Sequence, residues 1–284
     1  MRTRATQADV ARRAGVSRQT VSLVVLGDPR VSPQRRAAVE AAMREVGYRP
    51  NAAARSLVRR RTGLLGVLVS GLVNPFLGEL AEQLRVRAEE HGFVPLLATV
   101  AEDPESERRA LERFLELRVD GLVLVSPLLD LSALEAVGSQ VPTVVLTRNA
   151  GPPTVDLVHT DDVTGADRAT EHLLAAGYAP VVLVGHQRQA YGDSSRARAE
   201  GYAEAMARVG LTPRHADVDP LDHEGVRAVV RELRSGTGLV CHNDLVALAA
   251  LGAVVEAGLA VGRDVGVTGF DNTMLGGLPG IALT

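Results

Sequence analysis

The sequence predicts an all-α helix-turn-helix head followed by an α/β core of two lobes, each built on a doubly wound parallel sheet. Its 284 residues suffice for two or three units of ordinary domain size. Residues 1–61 carry fourteen Arg and four acids, a net charge of +10, whereas residues 62–284 carry −13. The second part alternates short apolar runs with longer amphipathic stretches, the pattern of parallel sheets covered by helices.

The head begins with two short helices separated by a glycine. Thr6 offers a capping hydroxyl to the first helix, and Asp9, three residues later, completes a capping-box pattern. Gly15 ends this helix because it tolerates the positive φ of a tight turn. Ser17 caps the second helix, which Asp28 and Pro29 are expected to end. The apolar positions at helical spacing are Val10, Ala11, Ala14, Val21, Val24 and Val25.

A third helix is predicted from Ser32 and Pro33 to Gly47, because proline is harmless at the first helical position and glycine stops a helix. Its expected buried stripe is Val39, Met43 and Val46. A helix, a glycine turn, a second helix and a supporting helix form a helix-turn-helix, whose second helix enters the major groove of DNA.

The exposed start of the second helix carries the predicted base contacts, Arg18, Gln19 and Ser22. Arginine can bridge guanine O6 and N7, and glutamine can bridge adenine N6 and N7. Phosphate contacts are predicted for Thr6, Ser17, Thr20 and Asn51. The alternative for each of these residues is an ordinary exposed polar side chain.

Three stretches of the head, residues 9–22 (DVARRAGVSRQTVS), 31–33 (VSP) and 47–57 (GYRPNAAARSL), resemble the LacI/GalR family of bacterial transcription repressors. The resemblance implies that residues 51–57 form a hinge helix that folds only on DNA, in a dimer, with Leu57 wedged into the minor groove. Ala54, in the same segment as Leu57, is also predicted to contact DNA. A helix this short does not persist alone, and an inserted apolar side chain bends DNA. The alternative is that residues 52–54 start an ordinary helix.

Two residues of the recognition helix depart from the family's pattern. Leu23 stands where many members carry Arg or another polar residue, and Leu26 stands where Asn is common. Leucine cannot donate a hydrogen bond to a base edge, although it can contact a thymine methyl group. We therefore expect either an operator unlike the well-known family sites or a Leu23 that simply packs.

The core is predicted to alternate strands and helices. Buried strands are predicted at residues 64–70, 94–99, 121–126, 143–147, 181–185, 239–242 and 265–269. Helices are predicted at residues 75–91, 104–117, 132–137, 163–176, 194–209, 224–234 and 244–257. The expected boundaries are 1–49 for the DNA-binding head, 50–61 for the hinge helix and linker, 62–160 for the N-terminal lobe and 161–284 for the C-terminal lobe.

Polar residues collect in the loops that follow the predicted strands, where ligands of doubly wound sheets bind. The core resembles the family's effector-binding core, which is similar to periplasmic sugar-binding proteins. That resemblance implies effector contacts from Phe76, Thr147, Arg198, Asn243 and Asp271. Thr147 stands where several sugar-responsive members have Asp, which weakens one expected hydroxyl acceptor. The alternatives are a surface role for Arg198 and capping or turn roles for Asn243 and Asp271, while Asp161 and Asp162 are interpreted as capping residues between the lobes.

The resemblance also bears on the C-terminal lobe. It implies that family members continue past a stretch like residues 281–284 by roughly fifty residues, so the lobe is expected to be truncated and its sheet edge uncovered. In the family those residues return through the first lobe, finish a strand and add a helix. An uncovered strand edge promotes association, which puts the dimer interface in doubt.

These patterns and the resemblance together predict a sequence-specific DNA-binding transcription regulator, a repressor controlled allosterically by a small-molecule effector between the core lobes. The resemblance implies a sugar, the family's commonest effector, with a nucleobase as the alternative, and it leaves open whether the effector releases or strengthens DNA binding. The expected partners are a near-palindromic double-stranded DNA operator, the effector and a second copy of the chain in a homodimer. The expected location is the cytoplasm, at the nucleoid. The alternative is a solute-binding module that does not regulate DNA.

The sequence argues against several other classes of protein. There is no N-terminal apolar signal region and no 18-residue apolar run, so neither secretion nor a membrane span is predicted. Dinucleotide-binding and nucleophile-elbow motifs are absent, and the chain has no lysine for a phosphate-binding loop, so no enzyme, catalytic residue or cofactor is predicted. The single cysteine, Cys241, excludes an internal disulfide, and a thiol beside one histidine does not predict a metal site.

Overall fold

A computed structural model describes residues 5–50, 61–100, 103–185, 192–281 and 283. The chain divides into two units, Met1–Gly63 and Leu64–Thr284. No helix within the described ranges is both long and apolar enough to cross a membrane.

The first unit contains three helices, α1 (Gln7–Ala14), α2 (Arg18–Leu26) and α3 (Pro33–Val46). The predicted capping box of α1 is present, since the Thr6 hydroxyl accepts from the Asp9 amide and the Asp9 carboxylate accepts from the Thr6 amide. The fully buried side chains Val10, Val21 and Val39, one from each helix, form the centre of a small apolar core. The helix-turn-helix prediction is therefore confirmed.

Two details of the head differ from the expectation. Helix α2 ends at Leu26, before Asp28, because Gly27 adopts a left-handed φ of 74° and caps it. On α3 the residue buried beside Val39 is Ala42, whereas Met43 is only partly buried, because a small side chain fits closest to the neighbouring helices.

The second unit contains two parallel sheets. The first has strands β1 (Leu64–Val69), β2 (Val94–Thr99), β3 (Gly121–Val125), β4 (Thr143–Leu146) and β5 (Asp156–Val158), in the order β2-β1-β3-β4-β5. Its helices are α4 (Pro75–Glu90), α5 (Pro104–Glu116) and α6 (Leu131–Gly138). Alternate residues of the central strands pack on opposite faces of the sheet, with Leu122 and Leu124 in one apolar cluster and Val123 and Val125 in another.

The second sheet repeats the arrangement. Its strands are β6 (Val181–Gly185), β7 (His215–Asp217), β8 (Thr237–Cys241) and β9 (Val265–Thr268), in the order β7-β6-β8-β9. Its helices are α7 (Asp162–Ala175), α8 (Gly192–Arg208), α9 (His223–Arg231) and α10 (Asp244–Glu256). Strand order reverses between β1 and β3 in the first sheet and between β6 and β8 in the second, and such switch points open a crevice at the carboxyl ends of the strands.

The two short strands β5 and β7 were not among the predicted elements. Each has three residues and lies at a sheet edge, and β5 reads Asp-Leu-Val. Segments this short show no measurable periodicity, so only the neighbouring strand identifies them. The other strands and the helices of the core occur where the alternation predicts them, within about two or three residues at most ends.

Candidate functional site

The first candidate site is the start of α2 in the head. Arg18 and Gln19, predicted to read bases, are both exposed in its first turn, and Ser22 is half-buried one turn later. An exposed first turn is the part of a recognition helix that meets base edges, so this geometry suits the predicted role.

The residues predicted to touch phosphates are also engaged within the head. The Thr6 hydroxyl bonds to the Asp9 carboxylate at 2.7 Å, and the Ser17 hydroxyl accepts from the Thr20 amide at 3.1 Å and contacts the Thr20 hydroxyl at 2.9 Å. These bonds fix the starts of α1 and α2, and oxygen lone pairs remain on both hydroxyls. The other predicted DNA contacts, Asn51, Ala54 and Leu57, lie outside the described residues.

Leu23, one of the two departures from the family's pattern, packs partly against the apolar core of the head. It is half-buried, as is Leu26 near the end of the helix. Leu23 therefore contributes to packing, and neither leucine can donate a hydrogen bond to a base.

The second candidate site is a cavity of about 220 Å³ in the core, at the carboxyl ends of the strands. Its lining comes from loops of both sheets, including those that follow β1, β3, β4, β8 and β9. All five residues predicted as effector contacts line it: Phe76, Thr147, Arg198, Asn243 and Asp271. Drug-sized sites span ~300–1,000 Å³, so this cavity suits one small ligand.

Arg198, on α8, is held firmly at this cavity. Its side chain is only 11% exposed, and its Nε donates to Asp162 Oδ1 at 2.8 Å. Its Nη1 donates to the carbonyl oxygen of His242, and its guanidinium stacks 3.7 Å above the Phe270 ring. The alternative of a surface role for Arg198 is therefore excluded, because the side chain is fixed on three sides.

Asp271, at the end of β9, is a buried carboxylate with few close donors. Its side chain is 5% exposed, Asn74 Nδ2 lies 3.4 Å from one oxygen, and Arg198 Nη1 lies 3.8 Å from the other. Burial raises the pKa of Asp271 against the opposing effects of Arg198 and Asn74. An acceptor that is buried but weakly satisfied is suited to bind ligand hydroxyl groups.

Asn243 combines the two roles that the sequence left open. Its side chain accepts from the Val246 amide at 3.0 Å and so caps α10, and the residue also lines the cavity. Beside it, Asp244 Oδ2 accepts from both the amide and the hydroxyl of Thr273, at 2.7 and 2.8 Å. This pair of bonds fixes the loop that carries Asp271.

The backbone is strained around the cavity. Ser126, Thr147, Asp271 and Asn272 have φ of 52°, 66°, 63° and 51°, in the left-handed region that side chains other than glycine rarely adopt. All four follow strands at their carboxyl ends. Strain of this kind clusters at functional sites, where the surrounding structure maintains it.

The loop after β3 is anchored by a buried acid. Glu107, on α5, is fully buried and accepts from the amides of Leu128 and Leu129 at 3.0 and 3.2 Å. Arg148 donates to the Leu129 carbonyl oxygen at 2.6 Å. Burial raises the pKa of Glu107, while the two amides and Arg148 oppose that shift. The loop, including the cavity-lining Ser126, is therefore held by charged side chains on both sides.

Ser126 lines the cavity and Asp162 contacts Arg198, but the sequence predicted neither as a site residue. Ser126 was assigned to the end of a predicted strand, yet it follows β3 and its hydroxyl lies 2.6 Å from that of Thr147. Asp162 was interpreted as a cap, but Asp161 caps α7 through the Thr164 amide, while Asp162 is buried against Arg198. The acidic pair Asp161-Asp162 was visible in the sequence, but only the fold brings its second member to α8.

Two family models match the chain. Residues 6–51 match the bacterial regulatory proteins of the lacI family. Residues 62–278 match the periplasmic binding proteins and sugar-binding domain of the LacI family.

Individual relatives agree with these matches. The chain is 31% identical to the HTH-type transcriptional regulator DegA of Bacillus subtilis (strain 168), over 97% of this chain and 84% of that protein. It is 33% identical to the ribose operon repressor of Escherichia coli (strain K12), over 95% of this chain and 84% of that protein. These relatives are transcriptional regulators rather than enzymes.

A solved structure shows the same fold. The lac repressor dimer bound to operator and the anti-inducer ONPF is 30% identical and superposes with a TM-score of 0.81, over 96% of this chain and 84% of that chain. The match extends over a helix-turn-helix head and a two-lobed core in one polypeptide.

Proposed function

Because this chain belongs to the LacI family of bacterial regulatory proteins, we propose that it is a repressor that binds a near-palindromic operator as a homodimer and responds to a sugar in the core cavity. The observation that carries the proposal is the presence, on one chain, of a capped helix-turn-helix and a polar cavity at two sheet switch points. Its site of action is then the chromosome, in the cytoplasm.

The head supports direct reading of DNA. Arg18 and Gln19 are exposed at the start of the recognition helix, where a bidentate contact to a base is worth ~1–3 kcal/mol of discrimination. Residues 51–57 act as the hinge helix in this proposal, with Leu57 as the wedge that bends the operator.

The core cavity supports the part of the proposal that concerns control by a small molecule. One solved relative is complexed with a sugar: it is a CelR–cellobiose complex, 29% identical over 96% of this chain. Phe76 offers an apolar face, whereas Asn243 and Asp271 offer hydrogen-bonding groups, which is the mixture that a sugar ring requires. DNA and sugar then change each other's affinity by the same factor, since linkage is reciprocal.

A homodimer is supported by the edge of the first sheet. Strand β2 lies at that edge, and its Val94 and Leu97 side chains are 58% and 50% exposed. Apolar side chains on an edge strand are suited to a protein interface. Two heads brought together this way read two half-sites of a near-palindrome.

Selection of genomic fragments by the purified chain, followed by footprinting, tests the proposal. We expect a protected near-palindrome whose affinity falls steeply with salt yet remains specific for its sequence. An Arg18→Ala variant should lose preference at one position of each half-site. If the chain retains no fragment above random sequence, the regulator proposal is wrong and a solute-binding function becomes the better one.

A further inference from the structure

Among the described residues, the two guanidinium groups that line the core cavity are already matched by buried carboxylates. Arg198 Nε bonds to Asp162 Oδ1, and the Asp162 side chain is wholly buried. Arg148, which also lines the cavity, lies close enough to Glu107 to oppose the rise that burial causes in the pKa of that fully buried acid. Each positive charge is therefore offset before any ligand enters.

Two further buried carboxylates make the net charge of the buried groups at the cavity negative. Asp244 and Asp271 lie near each other, and among the described residues the cation closest to Asp271 is Arg198, which is already bonded to Asp162. Together with the two matched pairs, these described groups sum to a charge of −2. A protonated His242, which also lines the cavity, would leave the sum negative.

The hydroxyl groups of Ser126 and Thr147, which follow β3 and β4, offer a ligand hydrogen-bond acceptors rather than donors. Thr147 Oγ1 donates its proton to the Leu146 carbonyl oxygen at 2.7 Å. The Ser126 hydroxyl must therefore supply the proton in its 2.6 Å bond with Thr147. Ser126 is left with oxygen lone pairs for a ligand, which favour a hydroxyl donor and disfavour an anion.

The partial positive charges at the helix N-termini around the cavity are also neutralised by caps or acidic side chains. The positive end of a helix attracts anions unless its amides are capped or an acid occupies its first turn. Helix α8 carries Asp193 in its first turn, and α10 carries Asp244. The start of α4 is capped by the Asn74 side chain, which accepts from the Phe76 amide at 3.0 Å.

We propose that this cavity selects an uncharged, hydroxyl-rich ligand and rejects the phosphorylated or carboxylated form of the same compound. An anion would face a negative buried field in which each guanidinium group of the described lining residues is already paired, and burying like charges together is costly. This proposal rests on the proposed effector function, because it specifies which class of sugar that site accepts.

Thermal melting of the full chain at constant ionic strength tests it with defined probes: inorganic phosphate, D-ribose with D-ribose 5-phosphate, and D-glucose with D-glucose 6-phosphate. We expect no saturable rise in Tm from the three anions. A sugar that does stabilise the chain should bind at least about tenfold more tightly than its phosphate ester. A saturable rise from an anion that disappears in Arg198→Met overturns the proposal, whereas a rise that persists there reports binding outside the cavity and leaves the selectivity intact.

An isosteric variant tests whether charge is the cause. Asp162→Asn with Asp271→Asn brings the sum of buried charge to zero and leaves Arg198 without its carboxylate, so phosphate should stabilise this variant where it does not stabilise the wild type. The single variant Asp271→Asn serves if the double variant does not fold, and should show a smaller response in the same direction. A folded variant with no phosphate response shows that charge does not govern selection and overturns the proposal.

Failure of this proposal differs from failure of the proposed function. Loss of sequence-specific DNA binding in the fragment selection contradicts the repressor, whatever the probes do. Anion binding in the cavity together with intact operator binding contradicts only the charge selectivity.

Discussion

At the scale of single residues, the core cavity is defined by carboxylates in unlike surroundings. Asp162 has a direct ion pair with Arg198, whereas Asp271 has only contacts of 3.4 and 3.8 Å. The first carboxylate fixes Arg198, and the second keeps unused acceptor capacity at the cavity. The sequence predicted Asp271 as an effector contact but interpreted Asp162 as a cap, because the ion pair of Asp162 joins residues 36 positions apart in the chain.

The raised pKa of Asp271 has a consequence for stability. Its folded-state pKa exceeds the unfolded value, so the ionised carboxylate costs free energy in the folded state at high pH, and this cost disappears as the pH falls through the folded pKa. Asp271→Asn removes the cost. The variant's free energy of unfolding, relative to wild type, should therefore be greater at about pH 8 than at about pH 5 in urea titrations.

Asp264→Asn provides the control for that measurement. The neighbouring Arg263 lowers the pKa of Asp264 to about 2, so its carboxylate is ionised in both states across this pH range. The difference between this variant and wild type should stay constant from about pH 5 to about pH 8. A difference for Asp271→Asn that shrinks with rising pH would contradict the assignment of a raised pKa.

At the scale of elements, the cavity depends on how closely α7 and α8 pack. Asp162 begins α7 and Arg198 lies on α8, so the ion pair joins the two helices. Gly201 on α8 permits their approach, because a Cβ there would overlap the carbonyl oxygen of Val163 on α7. The position of Arg198 at the cavity is thus set by a glycine one turn away from it.

Gly201→Ala should therefore separate the helices and destabilise the core by about 3 kcal/mol, since overpacking against backbone cannot relax locally. The matched control is Gly252→Ala on α10, where a Cβ meets nothing within 4 Å. That exposed substitution should stabilise the core by about 0.5–1 kcal/mol through helix propensity. Urea unfolding of the two variants measures both effects, and equal changes would show that the α7–α8 contact is not critical.

Helices and strands with a strong signal in their own sequence were predictable, whereas strands that exist only through pairing with an adjacent strand were not. The capping box at Thr6 and Asp9 and the apolar run of β3 carry their own signals, and both occur where expected. Strand β7 has three residues, reads His-Ala-Asp, and exists because it pairs with β6. Ser126 was missed for a related reason: whether a residue ends a strand or begins the next loop depends on its φ, here 52°.

At the scale of the whole molecule, charge is divided along the chain. Residues 1–61 carry +10 and residues 62–284 carry −13. A basic head is attracted to phosphate by counterion release, whereas an acidic core is repelled by it. In the proposed repressor this division orients the chain on DNA before any base is read, and a dimer doubles the effect.

The proposed dimer interface can be tested on the exposed strand β2. Leu97→Glu places a carboxylate on this apolar edge, and burying it unpaired against a second copy should raise the dimer Kd at least about 100-fold. Sedimentation velocity measures that shift. Operator affinity should fall with it, because the second head no longer binds as part of the same particle.

Val209→Glu is the matched control, since Val209 is 55% exposed just after α8 and lies outside the first sheet. It adds the same charge and should leave both the dimer Kd and the operator affinity near wild type. If Leu97→Glu behaves like this control, β2 is not the contact between copies, because an interface cannot bury an unpaired carboxylate without loss of affinity. If Leu97→Glu alone yields monomers that still fold, the edge left open by the first sheet is the surface through which two heads reach one operator.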